Sequence, residues 1–197
     1  MQKPQQQQIF SINSPDNFSE AALQVFRYQA NNCAVYKQFI NSLNVDVASV
    51  NKLSDIPFLP IEFFKQHQVV SSADEPQVTF TSSGTTGMIT SSHVVTDVSW
   101  YEQSFRRAFG LFYGNIENYC ILALLPAYLE RAGSSLVYMA DDLIKQSNNP
   151  DSGFYLYNHE DLYKQLLKLQ QAGTPTLLIG VTFALLDFVE HYPITFP

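Results

Sequence analysis

Positive charge is missing from the middle of this sequence. No Lys or Arg occurs between Lys65 and Arg106. That gap excludes a P-loop of the G-x-x-x-x-G-K-[ST] kind there, because such a loop needs its lysine on the β/γ-phosphates. The formal net charge of the whole chain is −7, which argues against a general nucleic-acid binder, since that requires a basic face. Cysteine is scarce as well. Cys33 and Cys120 make neither a disulfide framework nor a metal spacing. Cys120 stands inside an apolar run and has the character of a small buried hydrophobe. The four histidines, His67, His93, His159 and His191, lie far apart and show no zinc pattern, so no metal ligand from the protein is predicted. No run approaches the roughly 20 apolar residues of a membrane span. Met1-Gln2-Lys3-Pro4-Gln5 leads into glutamines rather than the apolar core of a leader. A cytoplasmic location without a membrane span is the expectation.

What is present is a chain of one-domain or one-lobe size. It has 197 residues, 46% of them hydrophobic and 15% charged, enough to bury a sizeable core. Residues 1 to 8 are glutamine-rich and predicted to be loosely ordered. A first helix is predicted from Asn17, with Glu20 three residues on as an approximate capping box, and Ala21, Ala22, Val25 and Phe26 as its apolar face. A second covers Ala34 to Leu43. Pro57 and Pro60 enclose Phe58-Leu59, and a short helix with Phe63 and Phe64 follows. This aromatic cluster suits packing against the main domain.

From Gln77 onward the pattern alternates. Strand, loop and strand occupy about 77 to 95. A helix begins at Asp97, a natural N-cap, and runs to about Phe109, with Tyr101, Phe105, Ala108 and Phe112 as an inward stripe. Arg106 and Arg107 suit a solvated face. Tyr119 to Leu125 is a continuous apolar run, as in a strand buried on both sides. Further helices are predicted over about Gly133 to Lys145, from an Asn158 cap to a Gly173 C′ residue, and from Phe183 to Glu190. Between them lie strands at Phe154–Tyr157 and Pro175–Ile179. The prediction is an α/β fold, a mostly parallel sheet with helices on both faces, preceded by a small helical segment. The predicted division is 1–75 for that segment and 76–197 for the α/β lobe. In such folds ligands sit outside the carboxyl ends of the strands. The loop after Thr81, the Pro126-to-Gly133 turn and the Gly180 turn are therefore expected on one edge.

The stretch Thr79 to Ser92 stands out. Nine of its fourteen residues carry a hydroxyl, and two are glycines. Glycines allow positive φ and close backbone approach to a ligand. Successive N–H groups in such a turn form an anion-binding concavity, and hydroxyls donate to phosphate oxygens. The alternative is an ordinary polar turn.

Thr81-Ser82-Ser83-Gly84-Thr85-Thr86-Gly87 resembles the phosphate-loop signature of the adenylate-forming superfamily, which includes acyl-CoA synthetases, nonribosomal adenylation domains and firefly luciferase. That signature usually carries a lysine three residues on. Here Met88-Ile89-Thr90 stands in its place. The nearest branch is the acyl-protein synthetase (LuxE) family. Ile56 to Lys65, Tyr128 to Leu136 and Gly180 to Phe183 also resemble that branch, so the likeness runs from about residue 50 to the end. It implies the N-terminal lobe of an adenylate-forming enzyme, completed by residues beyond this chain.

The resemblance implies ATP-dependent activation of a fatty or other carboxylic acid to an acyl-adenylate, with Mg²⁺, then transfer to a thiol. The acceptor would be a protein cysteine, a carrier protein or coenzyme A, with an acyl reductase as a downstream partner. Ser82, Ser83, Gly84, Thr85, Thr86 and Gly87 are the expected phosphate contacts. Tyr128, Gly180, Thr182 and Phe183 are the expected acyl-pocket residues, and the aromatic cluster at 57–64 has a possible place near the acyl site. Arg131 suits either an anion or a surface ion pair. No catalytic residue is assigned. A carboxylate is already anionic, so its activation requires no protein base but does require charge stabilisation. The missing lysine keeps a second reading open, an inactive nucleotide- or acyl-binding module. A serine-nucleophile acyltransferase is disfavoured by the lack of a Gly-x-Ser-x-Gly elbow, with His93 as its conceivable base.

Overall fold

The structure is a computed structural model that describes residues 2–82, 90–126, 133–193 and 195. The chain divides into two compact units, Met1–Trp100 and Tyr101–Pro197.

The first unit is built on a helical hairpin. A short helix α1 (Gln6–Phe10) forms where the glutamine-rich start is predicted to be loose. Helix α2 (Pro15–Asn32) then starts two residues before the predicted Asn17. Its cap is Ser14, whose side chain accepts from the Asn17 N–H, with Pro15 at N1. Proline suits that position because its missing N–H would be unpaired there anyway. Helix α3 (Ala34–Ser42) follows after one non-helical residue, Cys33. Phe26, Ala30, Cys33, Tyr36, Ile40 and Val50 form the buried core, with Leu59 and Val69 packed against it. The Tyr36 hydroxyl donates to the Pro57 carbonyl at 2.6 Å, tying the proline-rich segment to α3. Helix α4 (Phe63–Gln66) is a single turn.

Strands β1 (Val78–Thr81) and β2 (Ser92–Val95) complete this unit. They pair antiparallel, Val78 opposite Val95 and Thr81 opposite Ser92, in a two-stranded sheet of their own. The alternation from Gln77 predicts a mostly parallel sheet, and these two strands stand apart from it. Parallel neighbours need a crossover of a dozen or more residues, usually helical, and the intervening stretch is too short.

The second unit carries the α/β fold. Helix α5 (Ser99–Tyr113) leads into it. Strand β3 (Cys120–Leu124), helix α6 (Ser135–Ser147), strand β4 (Gly153–Tyr155), helix α7 (His159–Gln171), strand β5 (Thr176–Gly180) and helix α8 (Thr182–His191) follow. The three strands are parallel in the order β4-β3-β5. Every residue of β3 is buried. Its side chains alternate between faces, as a strand requires. Cys120, Leu122 and Leu124 meet Leu162, Leu166 and Leu169 of α7 and Ala184 and Phe188 of α8. Ile121 meets Phe105, Phe109 and Leu143, while Ala123 meets Ala140. Helices therefore cover both faces, as predicted.

The α5 stripe differs from the prediction. Tyr101, Phe105 and Phe109 pack inward, whereas Phe112 is 82% exposed and Ala108 is exposed. A spacing of four then four kept the bulky rings on one face; the predicted stripe drifted off it. Arg106 is also more than a solvated side chain. It donates through Nε to Asp142 of α6 at 2.9 Å and lies 3.3 Å from Glu102.

Candidate functional site

The hydroxyl-rich loop hangs between β1 and β2. Of the predicted phosphate contacts, Ser82 lies at its base. The Ser82 N–H donates to the Ser91 carbonyl at 3.0 Å. In return, the Ser91 N–H donates to the Ser82 hydroxyl oxygen at 3.0 Å. This reciprocal pair extends the β1–β2 ladder by one position and closes the loop's mouth. It uses the oxygen of Ser82 as an acceptor and leaves its O–H as a donor. Ser83, Gly84, Thr85, Thr86 and Gly87 lie outside the described residues, as do Tyr128 and Arg131.

The donor set fits a phosphate. Residues 82 to 92 contribute amides and hydroxyls and no carboxylate, so nothing in the sequence of the loop repels an anion. Nor does it supply an anionic ligand to a cation. Among the described residues no group of three or more His, Cys, Asp or Glu is placed to hold a metal ion.

His93, the conceivable base of the serine-nucleophile reading, is exposed on β2. Its ring stacks on Phe64, with centroids 5.7 Å apart and planes at 3°. That contact gives the histidine a packing role.

Gly180, Thr182 and Phe183 belong to the second unit. Gly180 ends β5 opposite Leu124, so the carboxyl ends of β3 and β5 lie side by side. The hydroxyl loop joins the two strands of the antiparallel hairpin and does not follow a strand of this sheet. A Cβ on Gly180 would lie 2.7 Å from the Leu185 side chain and 3.2 Å from the Leu124 carbonyl oxygen. Close packing of α8 on the sheet therefore accounts for this glycine. Thr182 opens α8 and is exposed. Phe183 is 59% exposed, on a face it shares with Leu186 and Val189.

Both thiols are buried and free. Burial pushes the Cys120 thiol above its usual pKa, the Ser152 hydroxyl opposing this. A protonated, enclosed thiol is a poor nucleophile.

Sequence reasoning missed one feature. The first unit contains a cavity of about 520 Å³ lined by α1, α2, α3 and the 53–71 segment. Ala22 and Val25, predicted as core on the apolar face of α2, form part of its wall. Phe58, within the proline-bounded cluster, also lines it and is 80% exposed. The periodicity of α2 reveals an apolar face; it does not reveal whether that face meets side chains or empty space.

A profile of the acyl-protein synthetase, LuxE, family matches residues 7–113. That range exceeds half of the chain and takes in every wall of the cavity, the β1–β2 hairpin and the hydroxyl loop. The chain belongs to the LuxE acyl-protein synthetase family. Members of this family are ligases that act on an acid and a protein acceptor. The match begins well before residue 50, where the resemblance read from the sequence begins. It ends before Tyr128 and Gly180, so those two stretches stand outside it. No curated protein and no solved structure matches the chain.

Proposed function

We propose that this chain serves the ATP-dependent activation of a carboxylic acid, a fatty acid above all, to an acyl-adenylate that is then passed to a thiol. The observation that carries the proposal is the family match across the hydroxyl loop. In the proposed reaction the substrate carboxylate attacks the α-phosphorus of ATP and pyrophosphate leaves. The hydroxyl of Ser82, with the amides and hydroxyls of Ser83, Gly84, Thr85, Thr86 and Gly87, donates hydrogen bonds to phosphate oxygens. Donors fixed before the reaction stabilise charge as it moves onto the leaving group, without reorganisation at that moment. The Ser82–Ser91 pair supports this by holding the two ends of the loop together. Mg²⁺ would neutralise charge on the phosphates, carried in by the nucleotide rather than by a protein carboxylate. Because Cys33 and Cys120 are buried, the acceptor is a thiol other than these two, with an acyl reductase as the downstream partner.

The lack of lysine at Met88-Ile89-Thr90 favours a second reading, a binding module without turnover. Carboxylate-dependent exchange of labelled pyrophosphate into ATP separates the two. Exchange is expected with long-chain acids. It is expected to fall by on the order of 10²-fold or more in Thr85→Ala plus Thr86→Ala, the loss associated with removing a fixed donor. No exchange with any acid would sink catalysis by this chain on its own.

A further inference from the structure

The cavity of the first unit has the size of a small-molecule site, which typically spans roughly 300–1,000 Å³. It measures about 520 Å³. Its chemistry is one-sided. No charged side chain lines it, and apart from Tyr36 and the thiol of Cys33 its polar residues are Gln29 and Ser71. The two that are buried, Tyr36 and Cys33, are already satisfied or apolar in behaviour. The Tyr36 hydroxyl donates to the Pro57 carbonyl. Cys33, 2% exposed, behaves as a small hydrophobe. Phe26 and Tyr36 are buried, whereas Phe18 and Phe58 are exposed, so the cavity runs from a core floor to an aromatic mouth.

Such a lining offers no charge to a phosphate or a charged peptide, and only Gln29 and Ser71 as polar side chains to a sugar. Water gains little there, because a water needs two to four polar partners to be held. A hydrocarbon chain gains from every methylene it places inside. We infer that this cavity holds the aliphatic tail of the acid substrate, with its carboxylate left towards the mouth. The inference rests on the acid-activation reading for its choice of ligand and is tested separately from it. It competes with the Gly180–Phe183 stretch, which the sequence resemblance assigned to the same tail.

A photoreactive long-chain fatty acid, incubated with the full chain in the absence of nucleotide, decides the matter. Peptide mapping is expected to find saturable label on the Ala21–Gln29 and Leu53–Phe64 stretches, displaced by unlabelled acid. Displacement should tighten by about fourfold for each added methylene until the cavity is full. Val25→Trp fills the cavity and is expected to weaken binding at least tenfold, while Leu186→Trp on α8 leaves it unchanged. Phe58→Ser, at an exposed position where the fold bears little load, is expected to weaken it severalfold even if Val25→Trp fails to fold. Label centred on Gly180–Phe183, label that does not saturate, or binding indifferent to Val25→Trp and Phe58→Ser would overturn the inference. Pyrophosphate exchange run alongside keeps the two proposals apart. Exchange with label elsewhere removes the cavity alone; cavity label without exchange removes acid activation alone.

Discussion

Gly180 shows how a single residue can carry two competing explanations. The resemblance places it in an acyl pocket, yet the Leu185 side chain already occupies the space its Cβ would need. Overpacking of this kind costs roughly 1–3 kcal/mol. Gly180→Ala is therefore expected to lower the unfolding free energy by that amount, read as a lower urea midpoint at unchanged slope. Leu185→Ala in the same chain should recover part of the loss as a favourable coupling in a double-mutant cycle. A neutral Gly180→Ala would remove the packing explanation and return the residue to ligand binding. Ser82 has one task in the fold and a second, proposed one at the phosphates. Ser82→Ala removes the acceptor of the Ser91 N–H as well as a phosphate donor, so exchange should fall even though both β-strands remain paired.

Among the elements, α2 has the most consequence for function, because one of its faces supplies core and cavity together. Ala21, Phe26 and Ala30 are buried, and Ala21, Ala22, Val25 and Phe26 all line the open volume. Its start depends on Ser14, which satisfies one of the N–H groups that a helix leaves unpaired. Ser14→Ala is expected to cost about 1 kcal/mol, read as a shift in the urea midpoint. Ser14→Asp should restore it and add a favourable charge at the helix N-terminus. A tail-binding affinity that falls with Ser14→Ala and returns with Ser14→Asp would tie the cavity to the integrity of this helix. The opposite end of the α/β unit uses a different device. α6 stops at Asn148, which takes a left-handed φ of 49°. The α7 end uses Gly173, with φ 64°, as the sequence predicted. Asn158 sits at the α7 N-cap position, but its side chain accepts from the Leu156 N–H and not from the helix.

At the scale of the whole molecule, stability at high pH depends on a tyrosine in each unit. Burial and the neighbouring Cys33 push Tyr36 up to about 12. A hydrogen bond to Glu102, aided by burial, pushes Tyr138 up to about 12. In the unfolded chain both titrate near 10. Between these values the folded state binds more protons than the unfolded one, so stability is complete below about pH 10 and declines as pH rises towards about 12. Urea midpoints at about pH 9, 10 and 11 should show that fall. Tyr36→Phe plus Tyr138→Phe should flatten it, at the cost of about 0.5–1.5 kcal/mol for each lost hydrogen bond at neutral pH. An unchanged slope in the double variant would assign the alkaline loss to other groups.

The sequence by itself determined which segments become helices and strands in the second unit, and that helices cover both faces of a parallel sheet. Its signals are local: the unbroken apolar run of β3, the cap position at Asn158 and the C′ residue Gly173. It also marked the hydroxyl loop, because nine hydroxyls in fourteen residues need no partner to be conspicuous. Only the tertiary structure decided how the segments pair. The ladder of β1 with β2 depends on contacts between residues more than ten positions apart, which composition and periodicity do not encode. The Arg106–Asp142 link between α5 and α6 is long-range in the same sense. The cavity is the clearest instance. Its walls come from α1, α2, α3 and the segment up to Ser71, and an apolar side chain has the same sequence signature whether it faces a neighbour or a void.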